Sequence, residues 1–183
     1  MKITIIAEKS DQAEKYGKAL NLSKEKGNWY GSYGGNDITV CALSGHVLSY
    51  KTPNEYDSNI KAFSDLSYLP FFPTNLGKKI TKDKVYKNAK YQLDKADMII
   101  IGTDIDEEGE LIAYEVINMS KNNNKPIKRL WINDTTPKSI RKGMSELKDK
   151  SFSYGKYVQA ATRSISDYLV GMNLTPYYTN QYK

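Results

Sequence analysis

The sequence of 183 residues contains one cysteine and one histidine. An internal disulfide needs two cysteines, and a zinc site is usually built from several cysteines and histidines. Neither is therefore expected, and a single cysteine suits a reducing cytoplasm. We expect Cys41, which lies in the apolar run 38–43, to be a small buried side chain.

Long apolar runs are also missing from the sequence. No run approaches the roughly 18 residues that a transmembrane helix needs, and the N-terminus carries charge too early for a signal peptide. These features predict a cytoplasmic protein without a membrane partner. The chain also lacks a Gly-x-x-x-x-Gly-Lys-Ser/Thr loop, so ATP is not expected, and it lacks Gly-x-Gly-x-x-Gly after its first strand, which argues against a dinucleotide-binding domain.

The formal net charge is +6, yet residues 102–110 read Gly-Thr-Asp-Ile-Asp-Glu-Glu-Gly-Glu. So many carboxylates repel one another unless a cation, a helix N-terminus or solvent offsets their charge. Basic surface around a concentrated acidic cluster suggests a polyanion held by lysine and arginine, with a metal ion at the centre.

This acidic cluster lies where the apolar strand 96–101 turns into the helix 107–119. In open α/β sheets, ligands bind at the carboxyl ends of the strands. Mg²⁺ typically uses one or two carboxylates and takes a substrate phosphate as a further ligand. We therefore predict a Mg²⁺ site, with Mn²⁺ as a substitute, at Asp104 and Asp106, with Glu108 as a further ligand. The helix dipole alone can account for Glu107 and Glu110, which we interpret as solvated or capping side chains.

Alternating strands and helices predict a parallel α/β sheet flanked by helices. A hairpin is added at Gly34-Gly35-Asn36-Asp37, and a long irregular loop is expected at 49–77 because it is rich in Pro, Asn and Ser. A final amphipathic helix is expected at 154–173. The other predicted strands are 2–7, 29–33, 38–43 and 127–132, and the other predicted helices are 10–20, 81–95 and 135–148.

Glu8 stands at the carboxyl end of the first strand. If strands 2–7 and 96–101 are neighbours, Glu8, Asp104 and Asp106 converge at one edge of the sheet. The alternative is an exposed residue at the end of a strand, and spacing alone does not separate the two.

Several motifs occur in a fixed order along the chain: Glu8-Lys9-Ser10, Ser44-Gly45-His46-Val47-Leu48, Thr103–Glu110, Arg129-Leu130-Trp131-Ile132 and Asp167-Tyr168-Leu169-Val170-Gly171-Met172-Asn173. Together they resemble the N-terminal part of type IA DNA topoisomerases, most closely the topoisomerase III branch, which opens with a Toprim domain. The resemblance covers nearly the whole chain. It implies a Toprim-like sheet over residues 1–153 and the start of a helical DNA-binding domain over 154–183.

The resemblance also implies roles for individual residues. Glu8 would act in proton transfer at the 3′-oxygen and, with Asp104, Asp106 and Glu108, would hold Mg²⁺. The DNA contacts would come from Lys9, His46, Arg163 and Asp167. Alternatives remain at these positions: a solvated lysine at Lys9, a hydrogen bond within a turn at His46, and an ordinary helical ion pair between Arg163 and Asp167.

Two departures from the type IA pattern stand out. Glu107 replaces the usual arginine after Asp-x-Asp, and no tyrosine lies in the context of the nucleophile, which in this family belongs to a separate downstream domain. The resemblance implies that the complete enzyme breaks and rejoins single-stranded DNA at the nucleoid, and that this chain alone does not cleave. The alternatives are a stand-alone Toprim-type nuclease or primase-like protein and, less consistent with so many acids, a receiver-like domain.

Overall fold

The computed structural model describes residues 1–60 and 66–182. The strands in this part of the chain are Lys2–Ala7 (β1), Ser23–Glu25 (β2), Asn28–Tyr33 (β3), Asn36–Ala42 (β4), Leu48–Tyr50 (β5), Lys78–Ile80 (β6), Met98–Ile101 (β7), Ile127–Arg129 (β8) and Lys148–Asp149 (β9). The α-helices are Ser10–Ala19 (α1), Asp83–Lys95 (α2), Glu107–Met119 (α3), Pro137–Ser145 (α4) and Tyr154–Gln181 (α5).

The central sheet has the strand order β2-β3-β4-β1-β7-β8-β9. Its middle strands, β4, β1, β7 and β8, are parallel, whereas β3 and β9 join them in antiparallel orientation. The predicted α/β class, the mostly parallel sheet with flanking helices and the added hairpin are thereby confirmed. Strands β1 and β7 are direct neighbours, with Ile3 opposite Met98 and Ile6 opposite Ile101.

The sheet is buried on both faces because its central strands are apolar at nearly every position. Ile5 and Ile6 point to opposite faces, as successive residues of a strand must. Ile6 packs in a cluster with residues of α2 and α3, and Ile5 in a second cluster with residues of α1 and α4. Each fully buried isoleucine stabilises the fold by about 1.5–3 kcal/mol.

The chain divides into two compact units. The first comprises Met1–Val47 and Lys82–Ala160 and contains the central sheet. The second comprises Leu48–Thr81 and Ala161–Lys183. These units divide the chain differently from the boundary predicted after residue 153, which stays a prediction.

The second unit is held by aromatic packing and by contacts to α5. The Tyr50 and Tyr168 rings lie 4.7 Å apart, and the Tyr168 hydroxyl donates to the Lys51 carbonyl at 2.6 Å. The Asn173 side chain accepts from the Phe71 N–H at 2.7 Å and donates to the Phe71 carbonyl at 2.9 Å. The irregular segment before β6 is therefore fixed to α5.

Some element bounds differ from the sequence-based expectation. The predicted loop 49–77 is wrong at its start, where Leu48–Tyr50 pairs with Lys78–Ile80, and it contains a short 3₁₀ turn at Pro53–Glu55. Part of that loop, 61–65, lies outside the described residues. Helix α5 continues to Gln181 with Pro176 inside it. No helix of the described chain is long and apolar enough to cross a bilayer.

Candidate active site

The side chains of Glu8, Lys9 and Asp104 meet at the carboxyl edge of β1 and β7. The Lys9 ammonium lies 3.1 Å from Glu8 Oε1 and 3.6 Å from Asp104 Oδ2, so one cation bridges two carboxylates. Glu8 is buried, whereas Asp104 is exposed. Contact with Glu8, and then with Asp104, raises the pKa of Lys9 above its usual value, so the Lys9 ammonium stays charged at neutral pH.

The main chain holds Glu8 firmly in this position. Its N–H donates to Gln12 Oε1 at 2.7 Å, and its carbonyl accepts from the Gly45 N–H at 3.0 Å. The turn at Ser44 and Gly45 uses left-handed backbone conformations, with φ of 58° and 76°. This turn places the Ser-Gly-His segment beside the end of β1.

The segment between β7 and α3 forms a tight acidic turn, residues 103–109. Asp106 is the N-cap of α3, and its carboxylate accepts from the Gly109 N–H at 2.7 Å. The Thr103 hydroxyl donates to the Gly109 carbonyl at 2.8 Å. Asp104 and Asp106 therefore have different partners, and Asp106 acts at least as a helix cap.

A buried ion pair between Arg129 of β8 and Glu110 of α3 supports the acidic turn. Arg129 Nε donates to Glu110 Oε1 at 2.5 Å, and neither side chain is exposed to solvent. The same guanidinium donates to the Asp104 carbonyl at 2.6 Å and to the Ile101 carbonyl at 3.0 Å. The expectation that Glu110 is solvated or capping is wrong, because the side chain is buried and its charge is paired with Arg129 of β8, the strand next to β7.

His46 contacts two acids of α3. Its Nε2 is hydrogen-bonded to Glu108, and its Nδ1 lies 3.8 Å from Glu115 Oε2. Glu115, which is shielded from solvent, and then the nearer but exposed Glu108 raise the pKa of His46 to about 9. The ring is therefore a cation at neutral pH, paired with these two carboxylates, and its contact with DNA stays a prediction.

Arg163 and Asp167 lie one turn apart on α5, in the second unit, with Arg163 Nε 3.7 Å from Asp167 Oδ2. Both side chains are largely exposed. The prediction that these two residues are neighbours on one face of a helix is confirmed. Their contact with DNA stays a prediction.

The donor set fits a small hard cation in part. Glu8 and Asp104 supply two carboxylates, which is the number that Mg²⁺ commonly uses beside water and phosphate. In the part of the chain that is described, no group of three or more acidic, histidine or cysteine side chains is arranged to hold a metal. The structure thus shows two carboxylates bridged by the Lys9 ammonium, and metal binding by Glu8, Asp104, Asp106 and Glu108 stays a prediction.

A family model for the Toprim domain matches residues 4–135, which include most of the sheet, the acidic turn and Glu8. The chain belongs to the Toprim domain family. Sequence reasoning predicted that family and its sheet, and the match confirms both.

Relatives of this Toprim chain include DNA topoisomerase 3 of Staphylococcus aureus strain USA300, which is 34% identical over 186 aligned residues. The protein of the same name from strain MRSA252 is also 34% identical, and a putative DNA topoisomerase 3 from strain bovine RF122 is 33% identical. The alignments cover 100% of this chain and 26% of each relative. The chain therefore spans about a quarter of the length of these relatives.

Sequence reasoning missed two residues that support this Toprim site. Gln12 connects the ends of β1 and β7, and Arg129 holds the acidic turn. A signal existed for Gln12, because it lies one helical turn after Glu8. Arg129 belongs to a motif that carried the resemblance, but its buried partner Glu110 was not anticipated.

Proposed function

We propose that this chain is the Toprim part of a type IA DNA topoisomerase of the topoisomerase III branch, an enzyme that breaks and rejoins single-stranded DNA. The supporting observation is the cluster of Glu8, Lys9 and Asp104, in which Asp104 comes from a part of the sequence distant from the other two. The resemblance gives each of the three a role: proton transfer for Glu8, a DNA phosphate contact for Lys9 and Mg²⁺ binding for Asp104. The likeness to topoisomerase 3 over the whole chain agrees with this assignment.

In this proposal a tyrosine from another domain attacks phosphorus, and the DNA 3′-oxygen leaves. The Glu8 carboxylate accepts the proton that the attacking tyrosine hydroxyl loses and passes it to the leaving 3′-oxygen, and the transfer runs in reverse when that oxygen reattacks. Lys9 lies on the exposed side of the carboxylates, where its ammonium can bind a nonbridging phosphate oxygen. His46, as a cation beside α3, binds a neighbouring phosphate.

Glu8 and Asp104 would hold Mg²⁺, and Asp106 and Glu108 are its further candidate ligands. Bound Mg²⁺ supplies charge neutralisation and orientation of the scissile phosphate. The chain's own contribution is to fix both carboxylates at one edge of a rigid sheet, so that little reorganisation is needed when phosphate binds.

The experiment that tests the metal site is a titration of the purified chain with Mn²⁺ and Mg²⁺, followed by calorimetry and thermal unfolding. A ligand that binds the native state raises the unfolding temperature. Glu8→Gln and Asp104→Asn should each abolish most of that rise. Asp106→Asn tests a third ligand separately, because asparagine is itself a good N-cap.

Asp37→Asn is the matched control. Asp37 lies at the amino end of β4, opposite Lys2, at the other edge of the sheet. It should leave the metal response unchanged. If Asp104→Asn responds to Mn²⁺ as the unsubstituted chain does, the assignment of the site is wrong.

A further inference from the structure

Gln12 makes hydrogen bonds with both of its amide atoms at the proposed site. Its Oε1 accepts from the Glu8 N–H at 2.7 Å, and its Nε2 donates to Asp104 Oδ1 at 2.9 Å. The side chain is buried, with 8% of the residue exposed. It therefore ties the end of β1 to the end of β7 by one side chain.

The chemistry of the two partners fixes the orientation of this amide. An N–H can only donate and an ionised carboxylate can only accept, so the oxygen must face Glu8 and the nitrogen must face Asp104. A glutamate at this position would lack the donor, and an aliphatic side chain would lack both groups. A carboxamide of this length meets both requirements.

The bond to Gln12 also makes the two oxygens of Asp104 unequal. Oδ1 is held by the buried amide, whereas Oδ2 lies on the side of Lys9 and Glu8. A quarter-turn of the carboxylate about its terminal torsion would break the bond to Gln12. The Asp104 carboxylate is contacted by Gln12 at 2.9 Å and by Lys9 at 3.6 Å, and the shorter bond to Gln12 restrains the direction of Oδ2.

We propose that Gln12 is a positioning residue for the metal and phosphate site, which orients the Asp104 carboxylate so that Oδ2 faces the same point as Glu8. This inference rests on the proposed function. Gln12 itself does not touch the ion or the DNA. Groups that orient a metal ligand in this way commonly change metal affinity by about 10- to 100-fold when they are removed.

The test is Gln12→Met, which keeps the length of the side chain but removes both hydrogen bonds. Gln92→Met is its matched control. Gln92 is 6% exposed, lies on α2 and donates to the Tyr30 hydroxyl at 2.9 Å, near the amino ends of the strands. Both substitutions bury a thioether in place of a bonded amide, so both should lower stability.

The first measurement is the Mn²⁺ affinity of the folded chain by calorimetry. Gln12→Met should weaken binding by about tenfold or more, and Gln92→Met should leave it unchanged. Equal affinity in the chain and in Gln12→Met, or equal weakening by both substitutions, would overturn the positioning role.

The second measurement does not depend on any metal. Urea unfolding of Gln12→Met, Asp104→Ala and the double variant should show non-additive changes in the midpoint, since the two residues contact each other. The cycle built on Gln92→Met should be additive. Additivity in the Gln12 cycle would overturn the inference. Coupling in that cycle, found together with no Mn²⁺ binding by the unsubstituted chain, would overturn the proposed metal site while supporting the orienting bond.

Discussion

Glu110 and Arg129 form a buried ion pair that stabilises the acidic turn, residues 103–109. Arg129 uses its guanidinium to hold Glu110 and the carbonyls of Ile101, Asp104 and Leu130, all of which lie around the start of the acidic turn. Among the described residues, Glu110 Oε2 has no hydrogen-bond partner. Arg129 therefore makes most of the hydrogen bonds by which this pair stabilises the turn.

Glu110→Gln should be strongly destabilising, because it leaves the Arg129 charge buried without a counter-charge. Removing one partner of a buried pair typically costs about 3–5 kcal/mol. Urea unfolding measures this loss. The control is Glu14→Gln, which breaks the exposed pair with Lys18 and should have little effect. Similar midpoints for both variants would contradict the prediction.

Cys41 is fully buried, and burial raises the pKa of its thiol to about 12. Since the thiolate is the reactive form, the folded chain should react with a disulfide reagent at pH 8 only through unfolding. Between about pH 9 and 12 the unfolded thiol ionises and the folded thiol does not, so this residue should favour unfolding as pH rises through that range.

Absorbance during the disulfide reaction, in buffer and in urea, measures this protection. Cys41→Ser is the blank, since the chain has one cysteine. Reaction of the folded chain at the rate found in urea would show that the thiol is accessible.

At the scale of elements, the acidic turn depends on the absence of a side chain at Gly109. A Cβ there would lie 2.3 Å from the Asp104 carbonyl oxygen and 3.0 Å from the Asp104 nitrogen, and both are main-chain atoms. Gly109→Ala should therefore destabilise the chain by about 1–3 kcal/mol and weaken Mn²⁺ binding, because the turn must shift.

Gly155→Ala is the control for this substitution. Gly155 lies on α5 in the same unit, and nothing lies within 4 Å of its added Cβ. Alanine favours a helix, so Gly155→Ala should be neutral or stabilising by up to about 1 kcal/mol. The prediction is wrong if Gly109→Ala unfolds at the same urea concentration as Gly155→Ala.

The sequence predicted the elements whose patterns are strong and missed those set by tertiary contacts. The isoleucine-rich strands β1 and β7 and the helix α3 were predicted because burial dictates their composition. Strand β2 reads Ser-Lys-Glu, is exposed throughout and exists only through pairing with β3. The predicted strand 127–132 ends at Arg129, whose side chain turns to Glu110.

The same distinction holds for the site. The proximity of Glu8 and Asp104 could be predicted from the sequence, because the carboxyl ends of parallel strands lie at the same edge of the sheet. The spacing of Gln12 from Glu8 indicated only nearness, and neither its bond to Asp104 nor the contact of Glu115 with His46 could be predicted, since both depend on side-chain directions that periodicity does not give.

At the scale of the whole molecule, the chain alone should leave DNA intact. The proposed mechanism takes its nucleophilic tyrosine from another domain, so supercoiled plasmid incubated with the chain and Mg²⁺ should keep its linking number. Agarose gels with and without protease digestion measure this. Metal-dependent nicking without a covalent protein adduct would favour a Toprim-type nuclease instead.

The chain should bind single-stranded DNA weakly, with little sequence preference and with affinity that falls as salt rises. The expected log–log slope is about −0.7 for each phosphate neutralised. Arg163→Ala should weaken binding and flatten that slope by less than about one unit. Fluorescence anisotropy with a labelled oligonucleotide over a salt series measures both quantities.

The comparison variant is Lys84→Ala with Lys87→Ala, on the lysine-rich helix α2. We expect a smaller effect from it than from Arg163→Ala. If Lys84→Ala with Lys87→Ala weakens DNA binding and flattens the salt slope while Arg163→Ala changes neither, the DNA follows α2 and the role assigned to Arg163 is wrong.

The strand order also has a consequence for how the protein is made. Strand β1 lies between β4 and β7, so its second edge is completed only after the ribosome has added the residues up to Ile101. At about 5–20 residues per second, this delay is on the order of several seconds. During that time one apolar edge of nascent β1 is open to pairing with other chains.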